Sequence, residues 1–392
     1  MTPNEYAQLY RTNLLDSVIP FWMRHSPDRE HGGFFTCLDT EGKVYDTDKF
    51  MWLQCRQIWC FAMLCNRVER RPEWLDMALH GAAFVLKHGR DKDGQWYFSL
   101  DRQGRPLVQP YNIFSDCFAT MAFGQLYVAT GDERYAEVAR STFYHILRRA
   151  DNPKGVYTKQ VPGARPLAGF SLPMILCNLV TEIESLLPPG LFHRTIAEGI
   201  DTVMNRFYQP DLGLIVENIA PDGTRSDSFE GRLINPGHGI EAMWFIMDLA
   251  ERQRIAGLAE KATAITLATL EYAWDRQYDG IFYFLDSKGY PPQQLEWDQK
   301  LWWVHIETMI SLAKGYLHTR DPKCWQWFER LHAYTWSHFV DARHGEWFGY
   351  LDRRGDVLLP LKGGKWKGCF HMPRGLYQLW TTMDTLTQQA DA

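Results

Sequence analysis

Along Arg134–Arg149, apolar and small residues recur at Tyr135, Ala139, Thr142, Phe143, Ile146 and Leu147, while Arg134, Glu137, Arg140, Tyr144 and Arg148 take other positions. That i, i+4, i+7, i+8 spacing predicts an amphipathic helix lying on a core. Segments ending near Arg24, Arg90, Arg206, Asp275 and Val340 carry the same pattern. A second kind of segment alternates with them. Ile240–Leu249 is apolar nearly all round, and so is Leu301–Leu312 apart from His305, Glu307 and a few small polar residues. An apolar circumference predicts a helix buried on every side.

Between the two kinds of helix lies a repeated motif of Gly, aromatics, Leu-Asp, polar residues and Gly. It reads HGGFFTCLDTEGK from His31, DGQWYFSLDRQGR after Lys92, DGIFYFLDSKGY from Asp279 and HGEWFGYLDRRGD from His344. Weaker copies are KGVYTKQVPGAR from Lys154 and LGLIVENIAPDGT from Leu212. The leading glycines Gly32, Gly94, Gly155, Gly213, Gly280 and Gly345 are 58 to 67 residues apart. Each copy predicts a short strand-like hairpin. Six units of outer helix, hairpin and inner helix cannot each bury a face alone, so they must stack. The expected architecture is all-α, an (α/α)6 barrel of six inner and six outer helices with the hairpins at one rim. An open superhelical array competes, but neither end reads as a polar cap. Length alone suggests two or three domains at about 150 residues each. The period runs from end to end without a Pro, Gly or Ser-rich linker, so residues 1–392 are expected to form one domain.

In such a barrel the starts of all inner helices gather around one mouth. The first brings Trp52 and Arg56, four apart and on one face. The second brings Asn112, Ser115 and Asp116, and the third only Met174. The fourth, INPGHGIEAMWF, sets His238 and Glu241 together behind Pro236 and Gly237. The fifth offers Trp303, His305 and Glu307; His305 and Glu307 are two apart, so only one of them is expected to face the mouth. The sixth, GCFHMPRGLY, places His371 at a helix start with Arg374 nearby. His305, among Trp302, Trp303 and Val304, reads equally as a core residue. Histidines on outer helices, such as His145, His193 and His332, are expected to be solvated. Two imidazoles across a mouth suit proton transfer near neutral pH, since histidine titrates near ~6.5. Removing a hydrogen beside a carbonyl needs a base and a cation for the enolate oxygen, the part expected of Arg56. A second histidine returning the proton on the other face would invert the carbon.

Composition narrows the partners. Lys and Arg number 42 against 47 Asp and Glu, a net charge of −5, which gives no basic surface for nucleic acid. The longest uncharged stretch, Pro166–Thr181, is shorter than the roughly 20 residues of a membrane span, so no membrane partner is expected. Glu5, Arg11 and Asp16 interrupt any apolar export signal, and a cytosolic location is expected. The eight Cys form no CxxC pair, and Cys55, Cys60 and Cys65 fall on different helix faces, so they read as buried reduced thiols. No HxxxH, HExxH, phosphate-cradling loop or dinucleotide fingerprint occurs, so no metal and no cofactor for the chemistry is expected. Sixteen Trp, 18 Tyr and 22 Phe make the chain 14% aromatic, which suits helix packing and also stacking on sugar C–H faces.

The segments NPGHGIEAMW, WWVHIETM and KGCFHMPRGLY, with Arg56 in WLQCRQIW, resemble the N-acylglucosamine 2-epimerase family, in the larger group of cellobiose 2-epimerases and aldose-ketose isomerases. The resemblance covers the whole chain and implies an (α/α)6 barrel. It implies that His238 and His371 are two catalytic bases, Arg56 the enolate-stabilising arginine, and Glu241 and Glu307 carboxylates that position the histidines and the sugar. Trp52, Asn112, Asp116, Met174, Trp303 and Arg374 are the candidate substrate contacts. It further implies a homodimer and activation by unconsumed ATP, with Lys154, Gly155 and Lys159 in NPKGVYTK as the nucleotide-contacting turn. Where the cellobiose and isomerase branches carry a further histidine, this chain has Ile175. An apolar wall there suits an N-acetyl group, so interconversion of N-acetylglucosamine and N-acetylmannosamine is expected. Two alternatives remain: an inverting glycoside hydrolase using carboxylates among Asp116, Glu241, Asp298 and Glu307, and a non-catalytic protein that grips a sugar or a protein partner.

Overall fold

The computed structural model describes residues 1–159, 161 and 163–391. Six inner helices are Met51–Arg67, Phe114–Thr130, Ser171–Glu182, Pro236–Gln253, Trp302–Thr319 and His371–Asp391. Outer helices precede the hairpins: Pro72–His88, Glu133–Arg149, Leu258–Ala273 and Pro322–Phe339 are continuous. The remaining two change pitch. Pro3–Thr12 runs through the π-helical Asn13–Val18 into Ile19–His25, and Pro189–Asp201 continues as the π-helical Thr202–Phe207. The first π stretch ends just before Pro20, which has no N–H to give an α-helical ladder.

Burial follows the two sequence patterns. On Trp302–Thr319 every residue from Trp302 to Gly315 is buried. On Glu133–Arg149 the buried set is Tyr135, Ala136, Ala139, Thr142, Phe143 and Ile146, one stripe. Helix starts are fixed locally: Thr2 and Glu5 form a reciprocal cap, and Asp132 and Asp321 accept from the backbone N–H groups of Arg134 and Lys323.

All six leading glycines have positive φ, between 55° and 82°, the left-handed region that a side chain disfavours. After the turn the chain pairs back on the end of its own outer helix, through the bridges Pro27↔Phe34, Arg90↔Trp96, Trp274↔Ile281 and Val340↔Trp347 and the strands Tyr208–Gln209 and Leu214–Ile215. The next strand pairs antiparallel with the lead into the preceding inner helix. Lys49–Phe50 thus meets Ser99–Leu100, Ala168–Gly169 meets Asn218–Ile219, Leu233–Ile234 meets Leu285–Asp286, and Lys300–Leu301 meets Tyr350–Leu351. Asp39↔Leu361 joins the first copy to the last. The third copy departs from this pattern: Gly155–Tyr157 is a 3-10 turn, and the 12-residue helix after it is the shortest inner one.

Buried ion pairs bind neighbouring hairpins. Asp28 takes Lys49 at 2.9 Å and Arg102 of the next copy at 3.0 Å; Asp275 takes Lys300 at 3.1 Å and Arg353 of the next copy at 2.9 Å. The ends of the chain then close on each other. Cys369 Sγ lies 3.6 Å from Cys60 Sγ, Trp22 Nε1 donates to Glu346 at 2.5 Å, and the Tyr10 hydroxyl lies 2.9 Å from His332 Nδ1. The array is therefore a closed (α/α)6 barrel, not an open superhelix. His332 corrects an expectation: it is buried, and burial drives its pKa down to about 4, so it is a neutral packing residue rather than a solvated one. All eight cysteines are free and buried. Among the described residues, no helix is long and apolar enough to cross a membrane.

Candidate active site

The fourth inner helix begins with a cap whose parts each place a side chain. Asn235 accepts the backbone N–H of His238 at 3.2 Å, and Pro236 opens the helix. Gly237 leaves room for Trp303, since a Cβ there would lie 2.6 Å from the indole. Trp303 sits beside His238, ring centroids 5.3 Å apart, and its ring centroid is 5.7 Å from that of His371. One indole thus adjoins both candidate bases.

Each imidazole has a carboxylate on Nδ1. His238 Nδ1 is 3.1 Å from both oxygens of Glu217, and His371 Nδ1 is 2.8 Å from Glu307 Oε1. A carboxylate only accepts, so Nδ1 carries the hydrogen and Nε2 is the nitrogen available for proton transfer. The electrostatic surroundings differ. Burial disfavours a charge on His238, but Glu217 and then Glu241 outweigh it and raise its pKa. His371 is lowered well below the usual histidine range, first by burial and then by the cations Arg56 and Arg374.

Glu307 is fully buried and satisfied three ways: Trp244 Nε1 donates to it at 2.9 Å, Arg374 Nη2 at 2.6 Å, and His371 as above. Arg374 Nη2 also donates to Glu241. Glu241, Glu307 and His371 bring possible metal-ligand atoms within 4.8 Å of one another, and the cation those two carboxylates already share is the Arg374 guanidinium. Arg56 has no acidic hydrogen-bond partner among the described residues. Its guanidinium lies 4.4, 4.0 and 4.6 Å from the rings of Trp52, Phe118 and Phe370, and Phe370 is equally 4.6 Å from Arg374. Burial and Arg374 lower Arg56 to about 9, so it remains a cation at neutral pH. Arg56 Nε, Arg374 Nε and Nη1, and Trp52 Nε1 are buried without a partner among the described residues. Unpaired buried donors are costly, and four at one mouth call for an acceptor-rich ligand.

The remaining expected residues fall elsewhere or have other duties. His305 is the core member of its pair: Leu301 O accepts from Nδ1 at 2.7 Å, Nε2 accepts from Ile281 N–H at 3.1 Å, and burial drives it to about 3. Gln54, at the corresponding place in the first inner helix, holds Phe34 through two 2.8 Å bonds. Asp116 is fully buried and pairs with Arg149 of an outer helix at 3.1 Å. Asn112 accepts from the Phe114 N–H at 2.9 Å at its helix start. Met174 and Ile175 are buried in the third inner helix. Lys154 and Lys159 lie on either side of the 3-10 turn that Gly155 begins, both exposed. Two residues were not anticipated. Glu217 stands where the first, second and sixth hairpins have Thr36, Phe98 and Gly349, and a carboxylate at that repeat position was the available signal. Trp366, half exposed, packs on Trp52 at 5.7 Å from the loop before His371.

The sequence profile of N-acylglucosamine 2-epimerase (GlcNAc 2-epimerase) matches residues 33–372. The chain is 39% identical over 386 residues to the N-acylglucosamine 2-epimerase of Mus musculus, covering 96% of this chain and 92% of that one. The cellobiose 2-epimerase of Bacillus thermoamylovorans B4167 superposes with a TM-score of 0.83 at 19% identity, over 96% of this chain and 99% of that one. A GH76 alpha-mannanase of Bacteroides thetaiotaomicron shares the architecture more loosely, at a TM-score of 0.63 and 8% identity over 99% of each chain.

Proposed function

The chain belongs to the N-acylglucosamine 2-epimerase family, and from that membership we propose that it interconverts N-acetylglucosamine and N-acetylmannosamine, with His238 and His371 as the two bases. It is an isomerase. The observation that carries the mechanism is the pair of His-carboxylate dyads against one indole, beside the unpaired donors of Arg56. In the open-chain sugar one imidazole Nε2 takes the hydrogen from carbon 2. The C–H electrons form the carbon 1 to carbon 2 double bond, and the carbonyl electrons move to oxygen 1. Arg56 faces that oxygen with a buried positive charge, where low dielectric strengthens it. The other imidazole, as imidazolium, then donates to carbon 2 from the opposite face and the carbonyl reforms. Two fixed bases spare the intermediate any reorientation between the steps.

Hydrolysis is the weaker reading because it needs two carboxyls free to act as acid and base. Here Asp116 is tied to Arg149, and Glu241 and Glu307 share Arg374. The N-acetyl preference is supported by the apolar Met174 and Ile175. Activation by ATP through Lys154, Gly155 and Lys159, a homodimer and a cytosolic location belong to the same proposal. The test is N-acetylglucosamine in heavy water, with and without ATP. Epimerisation with deuterium at carbon 2 is expected; inversion without solvent deuterium, or hydrolysis of a glycoside, overturns the reading.

A further inference from the structure

We infer that Glu217 is the positioning residue of His238, holding that imidazole as the acid of the pair at rest while His371 rests neutral as the base. The inference builds on the two-base reading above. Glu217 is itself rigidly held: its backbone N–H donates to Leu233 O at 3.0 Å and its carbonyl accepts from Phe170 N–H at 2.9 Å. Those residues lie in the leads into the fourth and third inner helices, so the hairpin is clamped from both sides. The side chain presents both oxygens to His238 Nδ1 at 3.1 Å, which fixes the ring and directs Nε2 as the reacting nitrogen.

The same contact sets charge. Around His238 stand Glu217 from the hairpin, Glu241 from its own helix, the neutral face of Trp303 from the fifth, and His371 from the sixth. Around His371 stand Glu307, but also Arg56 and Arg374, with Glu241 and His238 beyond. Two cations beside one imidazole and a carboxylate bonded to the other without a competing cation give the sites opposite resting protonation. The arrangement supplies one proton acceptor and one proton donor for the direction in which His371 abstracts; that turnover leaves His371 protonated and His238 neutral, the form the reverse direction uses, and exchange with solvent restores the resting form. Glu217 is thus for His238 what Glu307 is for His371, yet it comes from a hairpin rather than an inner helix.

Removing the carboxylate leaves the imidazolium without its counter-charge, so its pKa falls. The active enzyme carries one proton on the pair; it is lost to base through His238 and becomes two protons in acid through His371. The basic limb of kcat/KM should therefore move to lower pH in Glu217→Gln, by about one to three units for a charge at this range, while the acid limb stays. Because both directions share the same equilibrium constant, kcat/KM should fall by one common factor in each, about 10- to 100-fold at pH 8, the size found for carboxylates that orient metal-bound histidines. Glu217→Asp, which keeps the charge, should recover most of the basic limb. The experiment is the pH profile of N-acetylglucosamine epimerisation for wild type and both variants, with thermal melts to confirm folding and imidazole NMR of His238. An unmoved basic limb and unmoved His238 titration in a folded Glu217→Gln overturn the inference while leaving the epimerase reading intact. Absence of epimerisation in the wild type overturns the reading itself.

Discussion

Arg56, like Arg374, faces three aromatic rings, but it differs from Arg149 and Arg374 in having, among the described residues, no carboxylate within bonding distance. Arg149 and Arg374 have their acids, and Arg56 has none among the described residues. Arg56→Lys keeps the charge but replaces the planar fork that stacks among Trp52, Phe118 and Phe370 with a mobile ammonium. Loss of an aligned donor to a developing oxyanion typically costs about 10²- to 10³-fold in turnover. A kcat reduced to that extent with a little-changed melting temperature is expected, and near-normal turnover would make Arg56 a packing residue. The histidines give a sharper result. His238→Asn and His371→Asn should each abolish net inversion, since both faces of the enolate must be served. The surviving imidazole still exchanges carbon 2 hydrogen of the epimer it faces, which proton NMR in heavy water reads directly. Epimerisation by both variants at the wild-type rate would end the two-base mechanism.

The fourth inner helix shows how an element builds the site from its first turn. Asn235, Pro236, Gly237 and His238 are consecutive, and they contribute in turn a cap, a fixed φ, clearance and a candidate base. Gly237→Ala adds a methyl 2.6 Å from the Trp303 ring, an overlap that the indole must relieve by leaving its place beside the histidines. Overpacking of this kind costs about 1–3 kcal/mol. The variant is expected to melt lower and to lose turnover more than it loses stability, because the displaced ring adjoins both bases; unchanged kcat would mean that Trp303 does not set the site. This helix was largely legible in the sequence, through the NPG start and the i, i+3 pair. Glu217 was not, because two-residue strands have no periodicity of their own and the fourth hairpin is one of the weak copies. The fate of His305 and Glu307 was half legible. Their spacing says that they diverge, but only packing shows that His305 turns to the hairpin backbone at Ile281 and Glu307 to Arg374.

Across the barrel as a whole, stability depends on the ion pairs between hairpins as well as on the apolar core, and this gives it an acid limit. Burial pushes the carboxyl of Asp275 up, but bonds from Arg353, Gln277 N–H and Lys300 outweigh it and hold it at about 2; Asp341, raised by burial but bonded to Lys362, His344 and Arg343 N–H, is likewise held at about 2. Their folded values lie below the unfolded aspartate value near ~3.9, so the stabilisation is full above about pH 4 and is lost as pH falls toward 2. Burial also pulls Lys300 down to about 8, yet it stays protonated throughout that window, so the acid response follows the carboxylates. Equilibrium unfolding between pH 5 and 2 should show stability falling mainly below pH 4, and Asp275→Asn should weaken the dependence; a flat profile would contradict it. The repeat, the two classes of helix and the hairpins that lead into the inner helices were all readable from the chain, because helical periodicity and glycine turns are local properties. The placement of His238, His371 and Arg56 near the starts of inner helices was readable for the same reason, since helix starts are marked locally. Which carboxylate serves which histidine, the pairing of Asp116 with Arg149 and the burial of His332 emerged only on folding, because each depends on residues far apart in the chain meeting in the closed ring.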